Sequence, residues 1–144
     1  MKVYLDNCCF NRPFDDQSSL IIQLETEAKL YVQDLIKQGE LSLLWSFVLD
    51  YENDLNPFEE VRERIAHWKR LAVSNWNKAE KVTDKANELI KIGLKTKDAY
   101  HVACAIHLGA EYFITTDKKI INKPIAEIKC INPIDFIRRY SDDK

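Results

Sequence analysis

The sequence predicts an α/β fold in which helices cover both faces of a mostly parallel sheet. Two observations carry this expectation. Short apolar runs rich in β-formers recur along the chain, and between most of them lie stretches of helical periodicity, the usual crossover between parallel neighbours. A length of 144 residues favours one domain, 1–144, with enough chain to bury a core without staples. With 46% hydrophobic residues, three glycines and four prolines, disordered, collagen-like and low-complexity chains are excluded.

Lys2 to Leu5 reads as a buried strand closed by a turn at Asp6-Asn7. After a polar loop from Asn11 to Asp16, Ser18 is placed to cap a helix. Its apolar positions Ile21, Leu24, Ala28, Tyr31 and Leu35 recur at helical spacing until Gly39. Leu41 to Trp45 is the second strand, and Ser46 caps a helix carrying Val48, Leu49 and Leu55. A further helix or pair of helices, including Trp68 and Trp76, fills the chain to about Ile92. Gly93 ends that region, Thr96 caps a helix with the stripe Ala99, Val102, Ala103 and Ile106, and Gly109 stops it. Tyr112 to Thr116 is a third strand closed by Asp117-Lys118-Lys119; Ile125 to Ile131 contains a fourth, and Pro133 opens a last helix through Tyr140. The predicted order is β-α-β-α(α)-α-β-β-α.

A formal net charge of −2 argues against a uniformly cationic nucleic-acid coat. The cysteines, Cys8, Cys9, Cys104 and Cys130, form no CxxC pair and no regular framework, so a reducing, cytoplasmic setting is expected. No run of about 18 apolar residues occurs, so no membrane partner is expected.

In open parallel sheets ligands bind beyond the carboxyl ends of the strands. Asp6 and Asp117 each follow a strand there. Helices after a strand begin on the same rim, which adds Glu52, on one face with Val48 and Leu55, and Asp98, one turn before Val102. Two like charges ~4 Å apart repel by about 4 kcal/mol at an effective dielectric near 20, a conflict that a divalent cation removes. Oxygen ligands without a His/Cys set favour Mg²⁺ or Mn²⁺ over Zn²⁺. Asp50, Asp54, Glu59 and Glu60 are instead expected on solvated helix faces.

Four segments follow one another: Val3-Tyr4-Leu5-Asp6-Asn7, Ser46-Phe47-Val48-Leu49-Asp50-Tyr51-Glu52, Lys97-Asp98-Ala99-Tyr100-His101-Val102-Ala103 and Tyr112-Phe113-Ile114-Thr115-Thr116-Asp117. Together they resemble, in family order, the PIN-domain family of metal-dependent ribonucleases (VapC-like), and Asn132-Pro133-Ile134-Asp135-Phe136 is similar to the family's usual ending. The resemblance implies a Rossmann-like three-layer α/β/α fold with a four- to five-stranded sheet. It also implies Asp6, Glu52, Asp98 and Asp117 as the acidic quartet, and hydrolysis of RNA with one or two Mg²⁺ ions. Small members of the family are toxins of toxin–antitoxin pairs, which implies an antitoxin partner.

His101, Cys104 and His107 drift round their helix by about 60° per step and cannot comfortably grip one ion. His101 is instead expected to face the rim near the substrate, with Asn7, Arg12 and Lys118 as further substrate contacts. The tryptophans read as core or interface anchors, and an apolar stripe on the middle helices would suit a homodimer or an antitoxin peptide. Two rivals remain: a non-catalytic RNA- or protein-binding module that keeps the fold, and a phosphoacceptor domain. The second lacks its aspartate, because Trp45-Ser46 follows the middle strand. Setting the four acids aside for metal leaves the bases in slight excess, which restores compatibility with RNA.

Overall fold

A computed structural model describes residues 1–11 and 18–142, without the side chain of Asn11. Five parallel strands, β1 (Lys2–Leu5), β2 (Ser42–Ser46), β3 (Ser74–Trp76), β4 (Tyr112–Ile114) and β5 (Lys129–Ile131), form one sheet in the order β3-β2-β1-β4-β5. The helices are α1 (Asn7–Asn11), α2 (Leu20–Lys37), α3 (Phe47–Asp54), α4 (Glu59–Leu71), α5 (Thr83–Lys91), α6 (Thr96–His107), α7 (Lys118–Ile121) and α8 (Pro133–Asp142). The three-layer α/β fold is therefore as expected, with a sheet that is parallel throughout.

The chain lays down β1, β2 and β3 in one direction, then returns to place β4 on the other side of β1. Strand order reverses at β1, so a crevice opens beyond the carboxyl ends of β1 and β4. Val3, Tyr4 and Leu5 are fully buried, as a central strand covered on both faces requires. Against the neighbouring β2, α6 presents Ala99, Val102, Ala103, Cys104 and Ala105, all buried, whose small side chains let the helix lie close to the sheet. Tyr4 stacks on Phe113 of β4 with ring centroids 5.3 Å apart.

Gly39 ends α2 in the left-handed region at φ 79°; Gly39 N–H donates to Ile36 and Glu40 N–H to Leu35, two bonds that close the helix and that a Cβ would strain. Gly109 repeats this at the end of α6. At the helix starts the expectations shift. Ser19, not Ser18, precedes α2 and makes no side-chain cap, while Thr96 lies inside α6, with Lys95 before it. Ser46 does cap α3: its hydroxyl accepts from Val48 N–H at 3.2 Å.

Three larger differences have physical reasons. Trp76 is not helical but ends β3, an edge strand of three residues with no apolar run to betray it; Val73 N–H donates to Leu43 to start the pairing. Asn7 opens the short helix α1 rather than a turn, and Cys9 N–H closes onto the Asp6 carbonyl. On α2 the stripe runs differently: Glu25, Lys29, Val32, Gln33, Leu35 and Ile36 are buried, whereas Leu20, Ile21, Leu24 and Tyr31 are exposed. Leu55 likewise faces outward rather than beside Val48. The exposed apolar residues thus lie on α2 and around the end of α3 as well as in the middle of the chain.

Candidate active site

Asp6 leaves β1 at the crevice and is only 6% exposed. Its N–H donates to Ile114 of β4, Oδ1 accepts from Asn7 N–H at 2.7 Å, and Oδ2 accepts the Thr115 hydroxyl at 2.8 Å. The same Thr115 oxygen accepts from Asp117 N–H at 3.0 Å. One buried hydroxyl thereby fixes the Asp6 carboxylate and the backbone that carries Asp117. Asp117 caps α7, its Oδ1 accepting from Lys119 N–H at 2.9 Å.

Glu52 arrives from α3. Its Oε1 is bonded to His101 Nε2, and Oε2 lies 3.6 Å from Lys97 Nζ. Burial pushes the Glu52 carboxyl up, but His101 and then Lys97 outweigh it and hold the group below its ordinary pKa. Asp98, at the start of α6, is half-buried and shifted upward, first by burial and then by the charges of Asp6 and Asp117. Asp98 therefore faces the repulsion from the other acids that the sequence suggested.

The expectation that His101 faces the substrate gives way to a different placement. Its ring is fully buried on the inward side of α6, with Nδ1 2.6 Å from Tyr4 Oη and Nε2 3.7 Å from Asp6 Oδ1. Asp6, Glu52 and His101 each offer a ligand atom within 4.8 Å of the others, a grouping that Asp98 and Asp117 do not join. Tyr4, Ser46 and Thr115 are the residues that sequence reasoning missed. Tyr4 Oη bonds both Ser46 Oγ and His101, so its polar end has partners in the core. Its identity gave no hint, since a tyrosine in a buried strand reads as packing.

Asn7 is buried beside Asp6, and its Oδ1 has no hydrogen-bond partner among the described residues. Lys118 is exposed, and Arg12 lies outside the described residues. Cys104 is buried, its thiol pushed up to about 12 by burial, and His107 packs on Trp76 with centroids 4.0 Å apart. The His101, Cys104, His107 series therefore does not converge. Trp45 is a core anchor, and its Nε1 donates to Asp50 at 2.9 Å; Asp50 also meets Lys69 at 3.0 Å, so it is tied down rather than merely solvated.

The PIN domain profile matches residues 3–125, most of the chain. The chain belongs to the PIN-domain family. Solved structures share its fold: FitAB bound to IR36 DNA fragment (TM-score 0.62, 17% identity, 92% of this chain and 95% of that one). VapBC2 from Rickettsia felis bound to a DNA fragment from the promoter matches with TM-score 0.57 and 14% identity, covering 92% of this chain and 98% of that one. FitAcB from Neisseria gonorrhoeae matches with TM-score 0.54 and 14% identity, covering 91% and 97%. No curated protein sequence matches the chain. PIN domains are generally nucleases and typically use divalent metals, so membership supports hydrolase activity. The donor set suits such an ion: carboxylate oxygens converge where their mutual repulsion is otherwise only partly offset, and the buried Asn7 Oδ1 beside them has no partner among the described residues. No helix among the described residues is long and apolar enough to cross a membrane.

Proposed function

We propose that this PIN domain is a Mg²⁺- or Mn²⁺-dependent endoribonuclease that hydrolyses RNA phosphodiester bonds in the cytoplasm. Asp6, Glu52, Asp98 and Asp117 hold the metal. The observation that carries this reading is the meeting of Asp6 and Glu52 at the β1–β4 crevice, with Asp98 and Asp117 close enough to act on one another's charge. The bound metal supplies a water of lowered pKa and a Lewis acid for the phosphate oxygens.

The chain's own part is positioning. Thr115 holds Asp6 and the Asp117 backbone in one frame, and His101 and Lys97 hold both oxygens of Glu52. These anchors fix the carboxylates before substrate arrives, so little reorganisation accompanies the reaction. Glu52 is held ionised, which suits it to hold the metal and to orient the attacking water. Asn7, Arg12 and Lys118 contact the substrate in this reading, with Lys118, exposed just after Asp117, meeting phosphate.

The fold shared with VapBC2 and FitAB supports a toxin role with an antitoxin partner. Exposed Leu20, Ile21 and Leu24 on α2, and Tyr51, Leu55 and Phe58 around the end of α3, give apolar surface for that partner or for a homodimer. Incubating the purified protein with RNA and Mg²⁺ or Mn²⁺ tests the chemistry. Cleavage is expected to need the metal and to fall about 100-fold or more in Asp6→Asn and in Asp98→Asn. Equal cleavage by the wild type and both variants would falsify the proposal; metal-independent RNA binding without cleavage would point to the binding-module alternative.

A further inference from the structure

We propose that Nε2 of His101 is itself a metal ligand, which turns an oxygen-only site into a mixed nitrogen–oxygen site that selects Mn²⁺ over Mg²⁺. The inference rests on the metal site proposed above and changes the kind of ion it is built for.

The geometry is that of a ring held for coordination. His101 is fully buried, edge-on to Tyr4 at 5.6 Å and to Phe113 at 6.3 Å between centroids, so it has no room to turn away. Its Nδ1 meets Tyr4 Oη at 2.6 Å, and its Nε2 points at Glu52 Oε1 and Asp6 Oδ1. Metal-bound histidines almost always engage the second ring nitrogen with an oxygen partner that fixes tautomer and orientation. Tyr4 is that partner. A phenol both donates and accepts, so Tyr4 Oη can accept the hydrogen bond of Nδ1–H while donating onward to Ser46 Oγ.

In that tautomer the Nε2 lone pair faces two carboxylates, an arrangement that repels unless a cation lies among them. In the other tautomer Nε2–H donates to Glu52, which satisfies the same groups without an ion. The ring therefore serves the site loaded or empty without gaining or losing a proton. Ser46 links the two ligands further: its hydroxyl bonds Tyr4, behind His101, and caps α3, which carries Glu52. Imidazole suits transition metals, whereas Mg²⁺ takes oxygen ligands, so this donor set discriminates between them.

The test reads the ligand directly. Protein loaded with Mn²⁺ is examined by pulsed electron paramagnetic resonance, unlabelled and with ¹⁵N-histidine. A histidine nitrogen coupling is expected that changes isotope on labelling. It should persist in the double variant His67→Gln/His107→Gln and vanish in His101→Gln, where Mn²⁺ affinity falls about tenfold or more while Mg²⁺ affinity changes little. If His101→Gln does not fold, the labelled wild type and the double variant still decide. Bound Mn²⁺ with no histidine coupling, or Mg²⁺ bound where Mn²⁺ is not, overturns this inference and leaves the nuclease reading intact; failure of both ions to bind overturns both.

Discussion

At the β1–β4 crevice the carboxylates of Asp6 and Glu52 share His101, and Glu52 also pairs with Lys97, whereas between α1, α2 and α4 a buried lysine has no carboxylate partner among the described residues. Lys29 is 2% exposed; its ammonium sits 5.3 Å from the centre of the Phe10 ring. With its amide oxygen turned to face two donors, Gln33 accepts from Lys29 at 2.8 Å and from Trp68 Nε1 at 3.0 Å. The cavity there, about 430 Å³, is lined also by Lys37, Arg64 and His67. Burial lowers Lys29 to about 8, with only a weak opposing effect from Cys9, while Glu52 is held ionised by its neighbours. A buried charge keeps its ionisation only where the fold supplies an opposite charge or strong hydrogen bonds; elsewhere it is a standing cost to stability.

Lys29→Met gives the largest effect. The unfolded lysine titrates near 10.5 and the folded one near 8, so the unfolded chain binds more protons between those values. Stability due to this residue therefore rises with pH across that window, and below it the cost is about 3 kcal/mol at most, at 1.36 kcal/mol per unit. Methionine removes the cost together with a cation–π contact and a hydrogen bond. The variant should thus gain on the wild type most near pH 7, and the gap should close towards pH 10.5. Tyr4, Cys104 and Cys130 are shifted upward by burial and lower stability as pH rises past their unfolded values. Denaturant melts of the pair, compared at each pH, cancel those terms. A difference independent of pH would break the contrast between the two regions.

Thr115→Val tests the opposite pole. Valine keeps the shape but withdraws the donor to the buried Asp6 carboxylate and the acceptor for the half-buried Asp117 N–H. Loss of about 1–3 kcal/mol in stability is expected. RNA cleavage should fall about tenfold, since a small misplacement of acids weakens their action on the reacting phosphate. Thr115→Ser should restore both. Full activity in Thr115→Val would mean that the acids hold their places without it.

How far the sequence reveals these regions follows from what periodicity can see. Asp6 and Asp117 were legible because each closes an apolar run, and Glu52 because a carboxylate shared a helix face with Val48. Lys29 breaks an apolar face in the same way, yet α2 offers two apolar faces, and the one with more large residues is the exposed one. Burial of Lys29 depends on Phe10, Gln33 and Trp68 from three helices, which no local pattern reports. His101 is visible as a histidine one turn after Asp98, but its partner Tyr4 lies 97 positions away. β3 escaped because an edge strand held by three residues needs no hydrophobic run.

Asp50 marks the boundary between the two regimes, so it gives the smallest effect. Its carboxylate is 38% exposed, and it accepts from the buried Trp45 indole at 2.9 Å and pairs with Lys69 at 3.0 Å. Most of its worth should lie with the indole, because an exposed ion pair contributes about 0–1 kcal/mol, while a buried N–H left without an acceptor costs about 1–3 kcal/mol. Asp50→Ala should therefore destabilise by about 1–2 kcal/mol, and Lys69→Ala by less than half of that, with RNA cleavage unchanged in both. If Lys69→Ala costs as much as Asp50→Ala, the ion pair rather than the indole bond carries the interaction, and a surface pair at this site then behaves like the buried one between His101 and Glu52.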